Sequence, residues 1–281
     1  MRWLSPLRYP GGKASLFPLV CEILRENDLS QPKYFEPYAG GGGLGLSLLV
    51  KGLVSEIHLN DFDRSIWAFW HTVVNDADRL VAAIDEVEVS IETWKKMRQI
   101  QANKEESGVF ELALSTFFLN RTNVSGVISG GGVIGGLKQN GNYKIDCRFN
   151  KKELSQRILK IHKYRNRIKI TNFDAVEFIE LNSSVINGFF YIDPPYFEKG
   201  PQLYTNSYSK SDHAGLSERF KELDCPWLLT YDDVEGIRAL YEDVGIYEIS
   251  VGYSLWTKRI GREVAIISKY LKPSELLLRA A

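Results

Sequence analysis

The chain has 281 residues, 44% of them hydrophobic and 25% charged, proportions typical of a globular protein that buries a sizeable core. Its 35 basic and 35 acidic side chains balance, so net charge gives no indication of a polyanionic partner. With no apolar run long enough for a bilayer, no signal-peptide core and no clustered cysteines or histidines, the sequence favours a cytoplasmic protein with no membrane segment and no metal site.

Strands and helices alternate along most of the chain. Short apolar runs bounded by turn residues predict strands, and the stretches between them predict helices. This alternation is typical of βαβ units and therefore of a parallel sheet. The predicted strands are Tyr34–Glu36, Glu56–Asn60, Arg167–Thr171, Gly188–Ile192 and Trp227–Thr230. The predicted helices are Gly43–Lys51, Arg64–Val74, Asp174–Leu181, Ser211–Leu223 and Val234–Tyr241.

Two further strands are predicted near the end of the chain, at Ile246–Val251 and Glu263–Ser268. No helix is predicted between them, so we expect an antiparallel pair that closes one edge of the sheet. The sheet then has seven strands.

The alternation breaks between Asn75 and Ile168. Two helical stretches, Ala82–Asn103 and Phe110–Leu119, precede a cluster of glycines between Gly126 and Gly141. We interpret this part of the chain as an insertion with a task of its own. The predicted domains are a continuous α/β domain formed by residues 1–74 and 169–281 and an insertion of residues 75–168.

Charged residues are unevenly distributed. Basic side chains dominate from Arg148 to Lys169, and acidic ones from Glu56 to Glu92. A basic run is usually the solvated face of a helix, but it can also be a surface that meets phosphates. Composition alone leaves both interpretations open.

A glycine-rich turn follows the first predicted strand. Gly40, Gly42 and Gly45 satisfy the pattern G-x-G-x-x-G, and Asp61 ends the second strand. Such a turn lets a ligand approach the backbone at a helix N-terminus, and the acid can bind both hydroxyls of a ribose. A dinucleotide and S-adenosylmethionine both meet this description. A tight turn between strand and helix, with no ligand, is the alternative.

The fourth predicted strand ends in Tyr191-Ile-Asp-Pro-Pro-Tyr-Phe197. Each proline fixes φ near −65° and has no N–H to donate, so the strand must stop there. An ordinary strand end followed by a turn is the simplest interpretation. Near the start of the chain, Arg8-Tyr-Pro-Gly-Gly-Lys13 is a second glycine turn that carries a lysine, without the spacing of a phosphate-binding P-loop.

Five motifs, taken in order, resemble the DNA adenine-N6 methyltransferases of the Dam type, the D12 class. The resemblance extends from Leu7 to Tyr270. It implies an α/β, Rossmann-like, seven-stranded S-adenosylmethionine-dependent methyltransferase fold whose mainly helical insertion recognises double-stranded DNA. A bacterial or phage setting and a cognate restriction endonuclease as candidate partner follow from the same resemblance. The motifs are Tyr9-Pro-Gly-Gly-Lys13, Phe35-Glu-Pro-Tyr-Ala-Gly-Gly-Gly-Gly43, Asn60-Asp61, Asn172-Phe-Asp174 and Asp193-Pro-Pro-Tyr196.

This resemblance gives the Asp-Pro-Pro-Tyr segment a chemical task. The exocyclic amine of adenine is a poor nucleophile because its lone pair is delocalised into the ring. The Asp193 carboxylate and the Pro194 carbonyl can each accept one hydrogen of that amine, which localises the lone pair and stabilises the positive charge that develops. Pro195 helps to fix the carbonyl's direction, and Tyr196, with Phe197 beside it, offers a face on which an extruded base can stack.

The resemblance also implies a set of cofactor-binding residues. For Asp61 and Asp174 the alternative role is capping of the helices that follow them. Tyr231-Asp-Asp233 matches the family position that borders the target-base pocket. The implied cofactor-binding residues are Tyr9, Lys13, Phe35, Glu36, Pro37, Gly40, Gly42, Asp61, Phe173, Asp174 and Asp193.

DNA recognition is expected from the insertion and the basic run. Asn120-Arg-Thr-Asn-Val-Ser-Gly126 resembles the segment with which the family enters the duplex, with Val124 where an aromatic wedge often stands. Residues 129–136 replace the arginine-bearing stretch that reads GATC in some members, so GATC is not expected here. The acidic residues between Asp76 and Glu92 should lie on the side of the protein that faces away from the DNA. The implied DNA-binding residues are Arg8, Arg121, Asn123, Val124, Ser125, Lys151, Lys152, Lys258 and Arg259.

Three other functions share parts of this pattern. An N4-cytosine methyltransferase uses the same geometry, although it more often has serine at the position of Asp193. A glutamine-N5 or RNA-base methyltransferase would not need the insertion. A DNA-binding pseudoenzyme is an alternative of a different class, and the intact acids and prolines argue against it.

Overall fold

Seven strands form one sheet in the order β3-β2-β1-β4-β5-β7-β6. The computed structural model describes residues 4–9, 12–197, 208–253 and 259–280. The first five strands run parallel, and β7 is antiparallel to both β5 and β6, which confirms the antiparallel pair at the edge. The strands are β1 Lys33–Glu36, β2 Glu56–Asn60, β3 Ile168–Thr171, β4 Gly188–Ile192, β5 Trp227–Asp232, β6 Gly245–Tyr253 and β7 Arg259–Ile267.

The predicted helices are present, one of them divided in two. The stretch predicted as a single helix, Ala82–Asn103, is two helices because the backbone at Val87 is extended and Ser90 begins a new helix, its hydroxyl accepting from the Thr93 N–H at 3.2 Å. The described helices are α1 Phe17–Glu26, α2 Gly43–Val50, α3 Arg64–Asn75, α4 Ala77–Glu86, α5 Ile91–Ala102, α6 Val109–Thr122, α7 Lys151–His162, α8 Ala175–Asn182, α9 Lys210–Glu222, α10 Glu235–Leu240 and α11 Glu275–Ala280. Of these, α1, α7 and α11 are helices that were not predicted.

The strand order reverses between β1 and β4. The chain winds outward from β1 through β2 to β3, then returns to the other side of β1 with β4. Connections leave the carboxyl ends of β1 and β4 in opposite directions, and ligands of open α/β sheets bind in the crevice that this creates. The glycine turn follows β1, Asp61 follows β2 and Asp193 follows β4, so the topology brings all three to this edge.

Helices α4 to α7 pack against α3 rather than forming a separate core. The rings of Phe69 on α3 and Phe117 on α6 are stacked with their centroids 5.9 Å apart, and Phe149 meets Phe117 at 5.5 Å. These rings belong to the same hydrophobic cluster as strand residues such as Ile57 and Tyr191. The division of the chain into a catalytic domain and an inserted domain stays a prediction, since the two share this core.

Candidate active site

A cavity of about 360 Å³ opens at the carboxyl ends of β1 and β4. Its volume lies in the roughly 300–1,000 Å³ range of small-molecule sites. Residues from the start of the chain, the glycine turn, the segment after α6 and the Asp-Pro-Pro-Tyr motif all reach it. The lining residues are Tyr9, Gly12, Lys13, Glu36, Tyr38, Ala39, Gly40, Gly41, Gly42, Gly43, Leu44, Asp61, Phe62, Asp63, Ile66, Gly126, Val127, Ile128, Ser129, Asp193, Pro195 and Tyr208.

The glycines of the turn are required by its shape. Gly40 and Gly42 have φ of +46° and +56°, in the left-handed region that side chains rarely adopt. A Cβ on Gly40 would lie 2.5 Å from the ring of Tyr9, so the absence of a side chain here lets that ring pack directly on the turn. Gly45 serves a different purpose, because a Cβ there would lie 2.8 Å from the Tyr34 ring and push α2 away from β1.

Asp61 is held at the mouth of the glycine turn. Its carboxylate accepts the Gly40 N–H at 2.8 Å and the Asp63 N–H at 2.9 Å. Asp63, rather than Asp61, caps α3 by accepting the Ser65 N–H at 3.0 Å. Desolvation in the cavity, with the Asp63 charge as a second cause, raises the pKa of Asp61 to about 7. Asp61 is therefore poised to accept hydrogen bonds from hydroxyl groups of a ligand.

Glu36 closes the floor of the cavity. It is buried, the Tyr34 hydroxyl donates to it at 3.1 Å, and burial raises its pKa well above the ordinary range. Burial therefore favours the protonated form of Glu36, which can donate a hydrogen bond as well as accept one.

The Asp-Pro-Pro-Tyr motif is braced by side chains from distant parts of the chain. Lys13 Nζ lies 2.6 Å from Asp193 Oδ1, and the Thr230 hydroxyl donates to the same oxygen at 2.9 Å. The Tyr196 hydroxyl donates to Glu263 Oε1 at 2.9 Å, and Lys13 Nζ is 3.4 Å from that oxygen. Lys13 of the turn and Asp193 of the motif are thus brought together across 180 positions of sequence.

Thr230 and Glu263 are site residues that the sequence analysis missed. Glu263 lies on β7, and only 2% of its surface is exposed. Burial raises the pKa of Glu263, the Asp193 charge acts in the same direction, and Lys13 opposes both. The signal was available, because an acid that opens the apolar run Val264–Ile267 is expensive to bury without a partner.

Four predicted cofactor-binding residues lie outside the cavity wall. The ring of Phe35 is buried in the opposite layer against Phe190, 4.7 Å away, and Pro37 contributes a carbonyl that accepts from the Asn60 amide. Phe173 is 37% exposed. Asp174 caps α8 by accepting the Val176 N–H at 2.9 Å, which was its alternative role. Direct cofactor contact by these four stays a prediction.

A family model for D12 class N6 adenine-specific DNA methyltransferases matches residues 9–255. The chain belongs to this family. It is also 24% identical over 243 residues to the Type II methyltransferase M.MjaIII of Methanocaldococcus jannaschii, covering 78% of this chain and 79% of that protein. A solved structure of a candidate RNA methyltransferase from Pyrococcus horikoshii aligns with 93% of this chain and 84% of its own, at a TM-score of 0.44 and 10% identity.

In this D12 methyltransferase the sheet has the order and direction of Rossmann-like methyltransferases, as the sequence predicted. The chain acts on the N6 amine of adenine in DNA. No helix of the described residues is long and apolar enough to cross a membrane. The same part of the chain holds no group of three or more histidine, cysteine, aspartate or glutamate side chains placed to bind a metal ion.

The segment expected to enter the duplex is partly a structural junction. Asn123 is completely buried; its amide accepts from the Trp94 indole at 2.7 Å and donates to the Val127 carbonyl at 2.7 Å. Both ends of this amide are therefore engaged inside the protein, and the contact of Asn123 with DNA stays a prediction. Val124 and Ser125 are half-buried in the turn that follows. Their contact with DNA stays a prediction.

Four arginines gather beside this junction, and we call Arg8, Arg121, Arg148 and Arg157 the arginine face. Arg121 donates to the Arg148 carbonyl at 2.8 Å, and Arg157 donates to the Ser5 carbonyl at 3.1 Å and to Glu153 at 2.6 Å. Desolvation and the charges of the other three arginines lower the pKa of Arg121 to about 9. This part of the surface concentrates positive charge.

The two predicted lysines differ in their surroundings. Lys152 is exposed, whereas the Lys151 ammonium donates to the carbonyls of Asp85 and Val87, at 2.8 and 2.7 Å, at the end of α4. The acidic helix α4 therefore packs directly on the basic helix α7, and the expectation that the acidic stretch lies on the far side is wrong. Lys258 and the side chain of Arg259 lie outside the described residues.

The fifth strand ends in a second polar group near the site. The Tyr231 hydroxyl lies 2.7 Å from His213 Nδ1, and Asp232 accepts the Phe197 N–H at 3.0 Å. Asp233 is turned away to a bidentate pair with Arg238. This group fixes the backbone that follows the Asp-Pro-Pro-Tyr motif, beside the place where the family's target base is expected.

Proposed function

We propose that the cavity holds S-adenosylmethionine and that the protein transfers its methyl group to an adenine flipped out of double-stranded DNA. The observation that carries this is the convergence of Asp61, the glycine turn and Asp193 on one cavity of about 360 Å³. In this proposal Asp61 accepts the two ribose hydroxyls, and Tyr9, whose ring packs over Gly40, borders the methionine end. When bound, the cofactor supplies an electrophilic methyl group.

The chain's own residues prepare the adenine amine. Lys13 and Thr230 both engage Oδ1 of Asp193, so Oδ2 is the oxygen available to accept an N6 hydrogen. The Pro194 carbonyl accepts the second hydrogen in this proposal, and the lone pair of N6 is then directed away from both acceptors. After attack, the Asp193 carboxylate stabilises the positive nitrogen, a preorganised electrostatic contribution.

A flipped base needs a surface to replace the stacking that it loses in the duplex. Tyr196 provides a ring whose hydroxyl is anchored on Glu263 at 2.9 Å, with Lys13 Nζ 5.4 Å from its centroid. Anchoring restricts the ring to one orientation. The stacked adenine would then present N6 to Asp193, three positions earlier in the same rigid segment.

DNA phosphates are proposed to lie on the arginine face. Three features support this: positive charge is concentrated there, Arg121 is partly desolvated, and the neighbouring turn of residues 126–129 lines the cofactor cavity. A phosphate would satisfy charge that the protein's own carbonyls satisfy only in part. The Type II designation of M.MjaIII supports the further proposal that a restriction endonuclease of matching specificity is a partner in the cell.

Label transfer tests this function. The protein would be incubated with S-adenosylmethionine carrying a tritiated methyl group and, in separate reactions, duplex DNA, duplex RNA or a protein extract. Label should enter DNA only, and calorimetry should detect S-adenosylmethionine binding in the absence of DNA. Label in RNA or protein would contradict the proposal, and cofactor-independent DNA binding without transfer would support the pseudoenzyme alternative.

A further inference from the structure

Glu263 is the meeting point of two side chains that act at the target base. Its Oε1 accepts from the Tyr196 hydroxyl at 2.9 Å and lies 3.4 Å from Lys13 Nζ. Lys13 in turn holds Asp193 at 2.6 Å, and its ammonium is 5.4 Å from the Tyr196 ring centroid. Lys13, Tyr196 and Glu263 therefore contact one another and connect the stacking ring to the catalytic carboxylate.

Because Lys13 and Glu263 are buried, the presence of an acid at position 263 needs an explanation. Lys13 and Glu263 expose 4% and 2% of their side chains. A buried carboxylate is stable only when charge and hydrogen bonds compensate its desolvation. Replacement of Glu263 by an apolar residue would serve packing on β7 equally well, so packing alone does not explain an acid at this position.

We propose that Glu263 is a positioning residue for methyl transfer: through Lys13 it sets the direction of Asp193, and through Tyr196 it sets the ring on which the target adenine stacks. This inference rests on the proposed function and identifies how the same site is aligned. Loss of the Glu263 charge lets Lys13 shift wholly toward Asp193 and loosens the Tyr196 ring, because a neutral acceptor holds the hydroxyl less strongly than a carboxylate. Misplacement of about 1 Å is enough to slow a reaction about 100-fold.

The ionisation of Glu263 should be visible in the pH dependence of turnover. The groups that face it are Lys13, Asp193, Tyr196, Tyr191 on β4 and Asp232, its register partner on β5. Burial and Asp193 raise the pKa of Glu263, so protonation on its acidic side removes the charge that holds Lys13. We expect kcat to rise with pH through an ionisation that lies above the range of an ordinary glutamate.

The sign of the stability effect separates positioning from a structural role. A carboxyl group whose pKa is raised on folding stabilises the fold at pH values below its unfolded pKa. That contribution is lost as pH rises through its folded pKa. Glu263→Gln should therefore not lower the melting temperature at pH 8, whereas an acid needed for folding would lower it.

The test compares Glu263→Gln with Glu248→Gln, an exposed carboxylate on the neighbouring strand β6 that pairs with Arg238. Steady-state kinetics would be measured on a duplex whose methylated site has first been mapped in the wild type. Glu263→Gln should lower kcat by about 10- to 100-fold, leave KM for S-adenosylmethionine within about threefold, and remove the acidic limb of the pH profile. Glu248→Gln should behave as the wild type.

Tyr196→Phe completes the test because it keeps the ring and removes only the hydroxyl. In that background Glu263→Gln should cost less than in the wild type, since one of the two contacts is already lost. A duplex with 2-aminopurine at the target position should show a different fluorescence with Glu263→Gln than with wild type, reporting altered stacking. A Glu263→Gln enzyme with wild-type kcat and pH profile would overturn the inference, and an inactive wild type would instead overturn the proposed function.

Discussion

Asp193 and Arg121 both carry charge into partly buried positions, but their surroundings are opposite. Asp193 has a lysine of opposite charge at 2.6 Å and a hydroxyl donor at 2.9 Å. Arg121 bonds a backbone carbonyl and has three other arginines as charged neighbours. Asp193 thus has its counter-charge within the chain, whereas the four arginines of the arginine face have Glu153 as their paired carboxylate among the described residues. We infer that the chain forms its chemical site alone and that a DNA phosphate completes the arginine face.

The largest effect on turnover is expected from a substitution of Asp193. Asp193→Ala removes the acceptor of the N6 hydrogen and should lower kcat by a factor of about 100 to 1,000, the effect of losing one preorganised group worth roughly 3–4 kcal/mol. Affinity for S-adenosylmethionine, measured by calorimetry, should stay within about threefold. Asp233→Ala is a matched control because that acid pairs with Arg238 outside the cavity. An Asp193→Ala enzyme with more than a tenth of wild-type kcat would show that the motif is structural.

Asp61 should affect binding rather than turnover. Asp61→Asn weakens two hydrogen bonds from the ribose to a charged acceptor, each worth roughly 1.5–3 kcal/mol, so S-adenosylmethionine affinity should fall at least about tenfold. Because the pKa of Asp61 is about 7, wild-type affinity should also weaken as pH falls below 7, and the variant should lose this dependence. Asp174→Asn, which keeps a good helix cap, is the control and should have a smaller effect. Equal affinities in wild type and Asp61→Asn would remove the ribose role.

Asp61→Asn, which should weaken S-adenosylmethionine binding, should raise the stability of the fold at pH 8. The pKa of Asp61 is raised from 3.8 to about 7 in the folded protein. The carboxyl therefore favours the fold most at acidic pH, and this advantage is lost as pH rises from about 4 to 7. Asp61→Asn should then melt at a higher temperature than wild type at pH 8, with the difference shrinking toward pH 4. A lower melting temperature at pH 8 would contradict the raised pKa.

These two acids also show why the catalytic end was predictable from sequence. Asp61 and Asp193 each end a parallel strand, and parallel strands place their carboxyl ends at one edge. Strand bounds needed only short apolar runs and turn residues, so all seven were placed within a few residues. Thr230 and Glu263 were missed because their role depends on which strands pair. The pairing of β5 with β7 cannot be predicted from the residues of either strand alone. The burial of Asn123 was not predicted, because the polarity of a loop residue does not reveal burial.

A smaller effect, on DNA binding, is expected from a substitution on the arginine face. Arg121→Ala should weaken DNA binding and reduce the slope of log K against log salt by about 0.9, the contribution of one phosphate contact. Arg238→Ala, an arginine paired with Asp233 and Glu248, is the control and should leave the slope unchanged. A slope unaffected by loss of Arg121 would place the DNA elsewhere.

The smallest effect is expected from two adjacent lysines. Lys151→Ala should lower stability by about 1 kcal/mol because the ammonium caps the last carbonyls of α4, with little change in the salt slope. Lys152→Ala should leave stability unchanged and flatten the slope by up to about 0.9 if the exposed face of α7 meets phosphate. Neither should alter which site is methylated, because phosphate contacts position rather than specify. A loss of stability from Lys152→Ala together with a flatter salt slope from Lys151→Ala would contradict the structure.

The central claim is that the Asp193–Tyr196 segment directs methyl transfer to the N6 amine of adenine. The most direct measurement is digestion of labelled duplex DNA to nucleosides after reaction with methyl-tritiated S-adenosylmethionine, followed by chromatographic separation. All label should elute as N6-methyldeoxyadenosine, and the Asp193→Ala variant should give no labelled nucleoside above background in the same time. Label in N4-methyldeoxycytidine, or equal N6-methyldeoxyadenosine from the variant, would contradict it.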